Sequence, residues 1–167
     1  MLDKILWLIL LTFTPVFELR WSIPIGLFSG SIEVPFLGVV QGFALPLAIV
    51  FVTCVISNIV LGAIVYFLLD KVIPVLRHIS FIDRAYLFFV NRVQKRSEKI
   101  IKKYGLLGVA LFVAIPLPGS GSWTGALVAY LLNLGYKKFF IANAIGVLIS
   151  ATIVTILSIG VFAFLTL

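Results

Sequence analysis

Ile115-Pro116-Leu117-Pro118-Gly119-Ser120-Gly121-Ser122-Trp123-Thr124-Gly125 interrupts a segment, residues 106–134, that is otherwise apolar. Proline breaks a helix and removes a backbone donor. The glycines let the chain turn and expose N–H groups, while Ser120, Ser122 and Thr124 add hydroxyls. Such backbone is tolerated at membrane depth only where protein buries it or where it lines a cavity. Followed by a helix, the turn suits an anion or a polar headgroup, with the helix N-terminus adding positive potential. A simple kinked span is the alternative.

Charge on either side decides how this segment meets the bilayer. Lys102-Lys103 precedes it and Lys137-Lys138 follows it. A single crossing would leave one pair outside, whereas a segment that enters and returns keeps both pairs on the side where basic residues collect. The reading is therefore a re-entrant hairpin opening to the cytoplasm. Nine of the thirteen Lys and Arg (Lys71, Arg77, Arg84, Arg92, Lys95, Arg96, Lys99, Lys102 and Lys103) lie in one stretch, which marks it as cytoplasmic.

Composition sets the solvent. The chain of 167 residues is 62% hydrophobic and 11% charged, with a mean hydropathy of +1.24. A soluble domain is about half apolar and about a quarter charged. No core of this size could hide the excess, so lipid must solvate most of the chain. Cys54, the single cysteine, excludes a disulfide framework within the chain and reads as a small apolar helix residue. The net charge of +7 flanks apolar spans, which argues against nucleic acid as partner. The start, Met1-Leu2-Asp3-Lys4 and an apolar run, resembles a signal peptide, but no small-x-small cleavage site follows, so the segment is expected to be retained.

Five pieces follow from these patterns, within a single membrane domain over residues 1–167. Residues 5–32 form a first re-entrant hairpin, broken by Pro15, Glu18-Leu19-Arg20, Pro24, Gly26 and Gly30. Residues 36–69 exceed the roughly 20 a bilayer needs, so they are a tilted span or a short helix ending near Pro46 plus a span. Residues 70–104 are a basic connector. Within it Ile82, Tyr86, Phe89, Val93, Ile100 and Tyr104 recur at helical steps among the basic residues. That amphipathic helix can lie on an anionic membrane surface or pack on its own protein. Residues 106–134 are the second hairpin and residues 139–165 a clean span. The fold class is all-α integral membrane: an inverted repeat of two re-entrant hairpins, each followed by a transmembrane helix, of the kind transporters use.

Glu18 and Arg20 are the most informative charges. A charged side chain at bilayer depth costs about 2.5–3.5 kcal/mol on insertion scales and usually faces a bundle interior or a wet cavity. On a helix, residues two apart diverge; on turning backbone before Pro24 both could face one cavity. Alternatively the two neutralise each other or reach the interface. Gln41, Asn58 and Asn143 read as interhelical hydrogen-bonding groups, with a place in the cavity wall as the alternative. His78, beside Arg77, reads as interfacial. No HExxH, P-loop, GxSxG or CxxC is present, so neither an enzyme nor a cofactor is expected.

Glu18-Leu19-Arg20 with Ile23-Pro24-Ile25-Gly26, and Pro116-Leu117-Pro118-Gly119-Ser120-Gly121-Ser122-Trp123-Thr124-Gly125-Ala126-Leu127, resemble the paired motifs of the small multidrug export family. That family is similar to the wider DedA/VTT superfamily, whose two re-entrant hairpins meet in mid-membrane and whose members are implicated in moving lipids, including polyprenyl phosphates. The superfamily usually carries an arginine in its second motif. Here that motif has none, which leaves Arg20 as the sole deep cation. The resemblance implies a multi-pass protein of a prokaryotic cell membrane. Its expected substrate-binding residues are Glu18, Arg20, Pro24, Gly26, Pro116, Pro118, Gly119, Ser120, Gly121, Ser122, Trp123, Thr124 and Gly125.

Three functions remain open on these grounds. One is a transporter of an amphiphilic anion such as a lipid phosphate, with Arg20 on the phosphate and Glu18 coupling to protons. Another is a proton-coupled exporter of cationic hydrophobic drugs, with Glu18 as the binding group. A third is a non-transporting scaffold or lipid-organising protein acting through the basic helix. The partners expected are membrane lipids, a lipid-phosphate substrate, protons and further copies of the chain.

Overall fold

The computed structural model describes residues 1–15, 17–34, 38–76, 105–116 and 120–165. They are mostly helical. Helix α1 is Leu2–Phe13 and α2 is Glu18–Leu27. Strands β1 (Ser31–Val34) and β2 (Gly38–Gln41) follow, then the long helix α3, Leu47–Leu76. After the connector come α4 (Gly105–Ala114), α5 (Ser122–Leu131) and the second long helix, α6 (Tyr136–Leu165).

The long helices are apolar enough to cross a bilayer over Leu47–Pro74 and Tyr136–Val161, and their faces are sorted as lipid demands. In α6 the buried face carries Ala142, Asn143, Ser150, Ala151, Thr155 and Ser158, while Ile141, Ile145, Ile149, Ile153, Ile156 and Leu157 point outward. In α3, Cys54, Ser57 and Asn58 are buried, and Val52, Ile56, Val60, Ile64 and Phe67 are exposed. The buried faces also hold Val50, Leu61 and Val65 in α3 and Phe139, Val147 and Val154 in α6, but an outer face of bulky aliphatics over buried polar groups is the reverse of a soluble helix. In lipid this costs nothing, because hydrocarbon solvates the aliphatics while small residues let helices approach closely. The chain is a membrane protein.

The described residues fall into two compact units. The first holds Met1–Asn58 with Leu148–Leu167, the second Ile59–Val147. Each unit has a helix, a break and a ten-residue helix: α1 and α2 in one, α4 and α5 in the other. Each long helix has 30 residues and runs through both units, α3 from the first into the second and α6 from the second into the first.

Several expectations need correcting. The chain is not helical throughout, since β1 and β2 pair antiparallel, with Ser31 opposite Gln41 and Val34 opposite Gly38. Within the expected span over residues 36–69, Gly38–Gln41 is a strand and helix begins only at Leu47, so neither a continuous span nor a short helix ending near Pro46 describes it. The reason lies at the end of α2, whose last carbonyls have no partner within the helix. The returning segment supplies donors: Phe43 N–H to Ile25 O and Leu45 N–H to Gly26 O, each at 2.9 Å. Ala44 N–H reaches Phe28 O at 2.9 Å and Gly42 N–H reaches Gly30 O at 2.8 Å. Gly42 is required here, because a Cβ would collide with the Phe28 carbonyl. Helix α3 also continues past residue 69 to Leu76, with Pro74 inside its last turn. The expected amphipathic helix within 80–104 lies outside the described residues.

Candidate functional site

The first cluster is built on α2. The break falls between α1 and α2, ahead of Glu18, and Pro24 and Gly26 lie inside α2 rather than interrupting it. The expected turning backbone between Glu18 and Pro24 is helical from Leu19 onward, and only Glu18 itself departs from helical dihedrals. Glu18 is only 3% exposed, whereas Arg20 is half-buried. Their charges attract, and neither group lacks an interaction within the protein.

Glu18 opens α2 with φ of +43°, a left-handed conformation that side chains with a Cβ rarely adopt. Its N–H bonds Thr14 O at 3.1 Å, and its carbonyl accepts the Ser22 hydroxyl at 2.6 Å. These bonds hold the carboxylate-bearing residue at the point where the chain reverses. Pro24 has no N–H to offer the Arg20 carbonyl one turn earlier, which loosens α2 beside the guanidinium. Gly26 packs the far end of α2, where a Cβ would come within 2.8 Å of Val50 Cγ1 and 3.2 Å of Leu8 Cδ1. Thr12 Oγ1 donates to Leu8 O at 2.8 Å and lies 3.9 Å from Cys54 Sγ on α3.

The second cluster surrounds the start of α5. Pro116 and Ser120 flank the break, and Ser120 Oγ donates back to Ile115 O at 2.5 Å. Pro118 and Gly119 lie outside the described residues. Gly121 caps α5 with φ of +122°, a geometry that requires glycine. Gly121 O accepts the Gly125 N–H at 2.7 Å and the Thr124 hydroxyl at 3.4 Å. Ser122 is fully buried and donates to Asn143 Oδ1 on α6 at 2.9 Å. The Asn143 amide in turn donates to Ile59 O on α3 at 3.4 Å. Asn143 thus makes the interhelical hydrogen bonds expected of it, and it ties the start of α5 to both long helices. Gly125 sits where a Cβ would come within 2.5 Å of Val113 Cγ2 on α4. Trp123 is half-buried.

The end of α5 is closed by backbone alone. Asn133 adopts φ of +52°, its N–H bonds Tyr130 O at 2.9 Å, and the Leu134 N–H bonds Ala129 O at 3.0 Å. This pairing of bonds around a left-handed residue is a Schellman cap. It turns the chain into α6, where Tyr136 packs edge-on against Tyr66 at 5.7 Å and Phe139 stacks on Tyr66 at 4.9 Å.

Glu18, Arg20, Pro24 and Gly26 are therefore gathered in the first unit, and Pro116 and Ser120 to Gly125 in the second. Two residues deserve more weight than the sequence reading gave them. Thr12 and Asn143 join a hairpin to a long helix; Asn143 lies on a buried face marked by small and polar residues (Ser150, Ala151, Thr155 and Ser158), whereas α1 carries no such pattern around Thr12. Among the described residues no group of three His, Cys, Asp or Glu side chains is placed to hold a metal ion.

Comparison with known proteins gives one family. The family described as "Putative small multi-drug export protein" matches residues 18–153, from the first charge of α2 to the middle of α6. No curated protein and no solved structure matches the chain. With most of its length matched, including both paired motifs, the chain belongs to this small multi-drug export protein family.

Proposed function

We propose that the chain is a DedA-like transporter, rather than an enzyme, which moves an amphiphilic anion such as a polyprenyl or other lipid phosphate across a prokaryotic cell membrane. The observation that carries this is the unequal burial of the two charges. Glu18 is buried, at 3% exposure, while Arg20 is half-buried and so is the charge that an entering ligand meets first. A guanidinium presents a planar fork of donors suited to phosphate. A lipid substrate also suits a chain too small to enclose a wide aqueous path. Glu18 then holds Arg20 while the site is empty, and gains a proton when substrate takes its place.

Re-entrant topology belongs to the same proposal. The Tyr66–Tyr136 contact brings the second half of α3 against the start of α6 within the second unit, and Lys71, Lys137 and Lys138 lie close to it in sequence. A chain that leaves α3 and begins α6 on one side must return between them, which supports a hairpin for α4–α5. Exchange of the long helices between two units of like build supports an inverted repeat.

The test is translocation of a fluorescent lipid phosphate by protein reconstituted in vesicles. Arg20→Ala is expected to abolish it and Arg20→Lys to impair it. Unchanged rates in both remove Arg20 and the anionic reading. A second reading, export of cationic hydrophobic compounds, draws on the family description and on the depth of Glu18. It requires Glu18→Gln to abolish drug resistance in cells while Arg20→Ala leaves it intact.

A further inference from the structure

In the first unit Asn58 and Thr155 each bury a side-chain oxygen without a hydrogen-bond partner among the described residues, and of the two only Asn58 follows on the face of α3 that meets the first hairpin. Asn58 is 1% exposed, and the oxygen concerned is its Oδ1. A buried acceptor without a donor is costly, and deeper in lipid there is no water to relieve it. Its counterpart Asn143 has bonds at both ends of its amide, so the fold can satisfy such a group where the role is structural.

Its position follows from the contacts around it. Val50 lies against Gly26 and Cys54 against Thr12, so this face of α3 meets the first hairpin. Asn58 is one turn further along the same face. Leu8 and Val50 flank Gly26 together, and Thr12 and Cys54 are level one turn on, so α1 and α3 advance in one direction. Helix α2 turns back beside α1, with Glu18 N–H on Thr14 O. Eight residues of helix from Gly26 back to Glu18, and eight from Val50 on to Asn58, each cover about 12 Å. Asn58 therefore lies within about one turn of the level of Glu18, where the chain reverses.

We propose that Asn58 is a substrate-contact residue, whose Oδ1 receives an N–H or O–H donor carried beside the anionic group of the transported amphiphile. The inference rests on the anionic reading above. Arg20 takes the anion, and Asn58 takes the donor. Two headgroup chemistries offer that pairing: an ammonium next to a phosphodiester, and the P–O–H of a phosphate monoester. A quaternary ammonium or a methylated phosphate has no such donor.

The experiment measures binding to the full chain in nanodiscs, read by tryptophan fluorescence, with two matched probe pairs. One is dodecylphosphoethanolamine against dodecylphosphocholine, the other dodecyl phosphate against its monomethyl ester. Wild type should bind the donor-bearing member of at least one pair about three- to tenfold more tightly, and the pair concerned identifies the donor. Asn58→Ala and Asn58→Leu should bring that ratio to about one while keeping affinity for the donor-free member. Without probe, the better packed of the two variants should melt at or above wild type, since removing an unpaired polar group relieves its cost. Discrimination that survives both substitutions, or is absent in wild type, overturns the role of Asn58 alone. Melting of both variants below wild type makes Asn58 a structural amide and also overturns it. Wild type that binds no anionic probe but binds dodecyltrimethylammonium overturns the anionic reading, and this inference with it.

Discussion

Ser122 donates its hydroxyl to Asn143 Oδ1 across 2.9 Å, with neither side chain exposed to any degree. The bond joins the first residue of α5 to the second turn of α6, and the other end of the same amide reaches Ile59 O on α3. Hydrogen bonds between membrane helices contribute about 0.6 kcal/mol on average and up to about 1.7. A double-mutant cycle of Ser122→Ala and Asn143→Ala, followed by thermal unfolding in detergent, should give a coupling in that range. Asn143→Leu should also destabilise, by about 1–3 kcal/mol, because it strands the Ser122 hydroxyl. A coupling near zero would mean that the second hairpin is held by packing alone.

Packing around two glycines makes a separate prediction. A methyl at Gly125 would lie 2.5 Å from Val113 Cγ2, and one at Gly26 would lie 2.8 Å from Val50 Cγ1. Overpacking of this kind costs about 1–3 kcal/mol. Gly125→Ala should therefore unfold earlier than wild type, and Val113→Ala in the same chain should restore part of the loss. Gly26→Ala with Val50→Ala should behave alike. If the double variants are no better than the singles, the collision is not what limits these positions.

Glu18 combines a buried carboxylate with a left-handed backbone. That conformation costs a residue with a Cβ about 1–2 kcal/mol, and Gly or Asn much less. Glu18→Gly and Glu18→Asn should thus be more stable than Glu18→Ala by about 1 kcal/mol. All three should lose transport, because all three lack the carboxylate. Full transport by Glu18→Asn would confine the residue to shaping the turn.

Topology can be read by labelling. With Cys54 replaced by Ala, single cysteines at Lys4, Lys71 and Lys137 are expected to divide by side. Those at Lys71 and Lys137 should react with an impermeant maleimide from the cytoplasmic face, and that at Lys4 from the opposite face. Lys71 and Lys137 on opposite sides would rule out a returning second hairpin.

Much of this protein was legible in its residues. The excess of apolar groups made lipid the solvent, and the family follows from the two paired motifs, which the match over residues 18–153 spans. Proline and glycine marked the break before α5 within a few residues, because neither can continue a helix without losing a hydrogen bond or backbone entropy. In the first hairpin the same rule marked Pro15 and Gly30, which lie before and after α2, but also two positions that do not interrupt it. Pro24 and Gly26 are tolerated inside α2, since the returning Phe43 and Leu45 amides satisfy the carbonyls at its end and Val50 fills the space beside Gly26.

Composition and local pattern by themselves thus determined a helical membrane chain with two long apolar helices, two interrupted segments and a Glu–Arg pair beside the first interruption. They do so because hydrophobicity and helix breaking are properties of short stretches. Only the tertiary structure decided that Ser31–Val34 and Gly38–Gln41 form strands, that Glu18 is buried while Arg20 is half-buried, and that among the described residues Asn143 is satisfied while Asn58 Oδ1 is not. Each of these depends on which backbone or side-chain group arrives from a distant part of the chain to meet, or fail to meet, a hydrogen-bonding atom that lipid cannot.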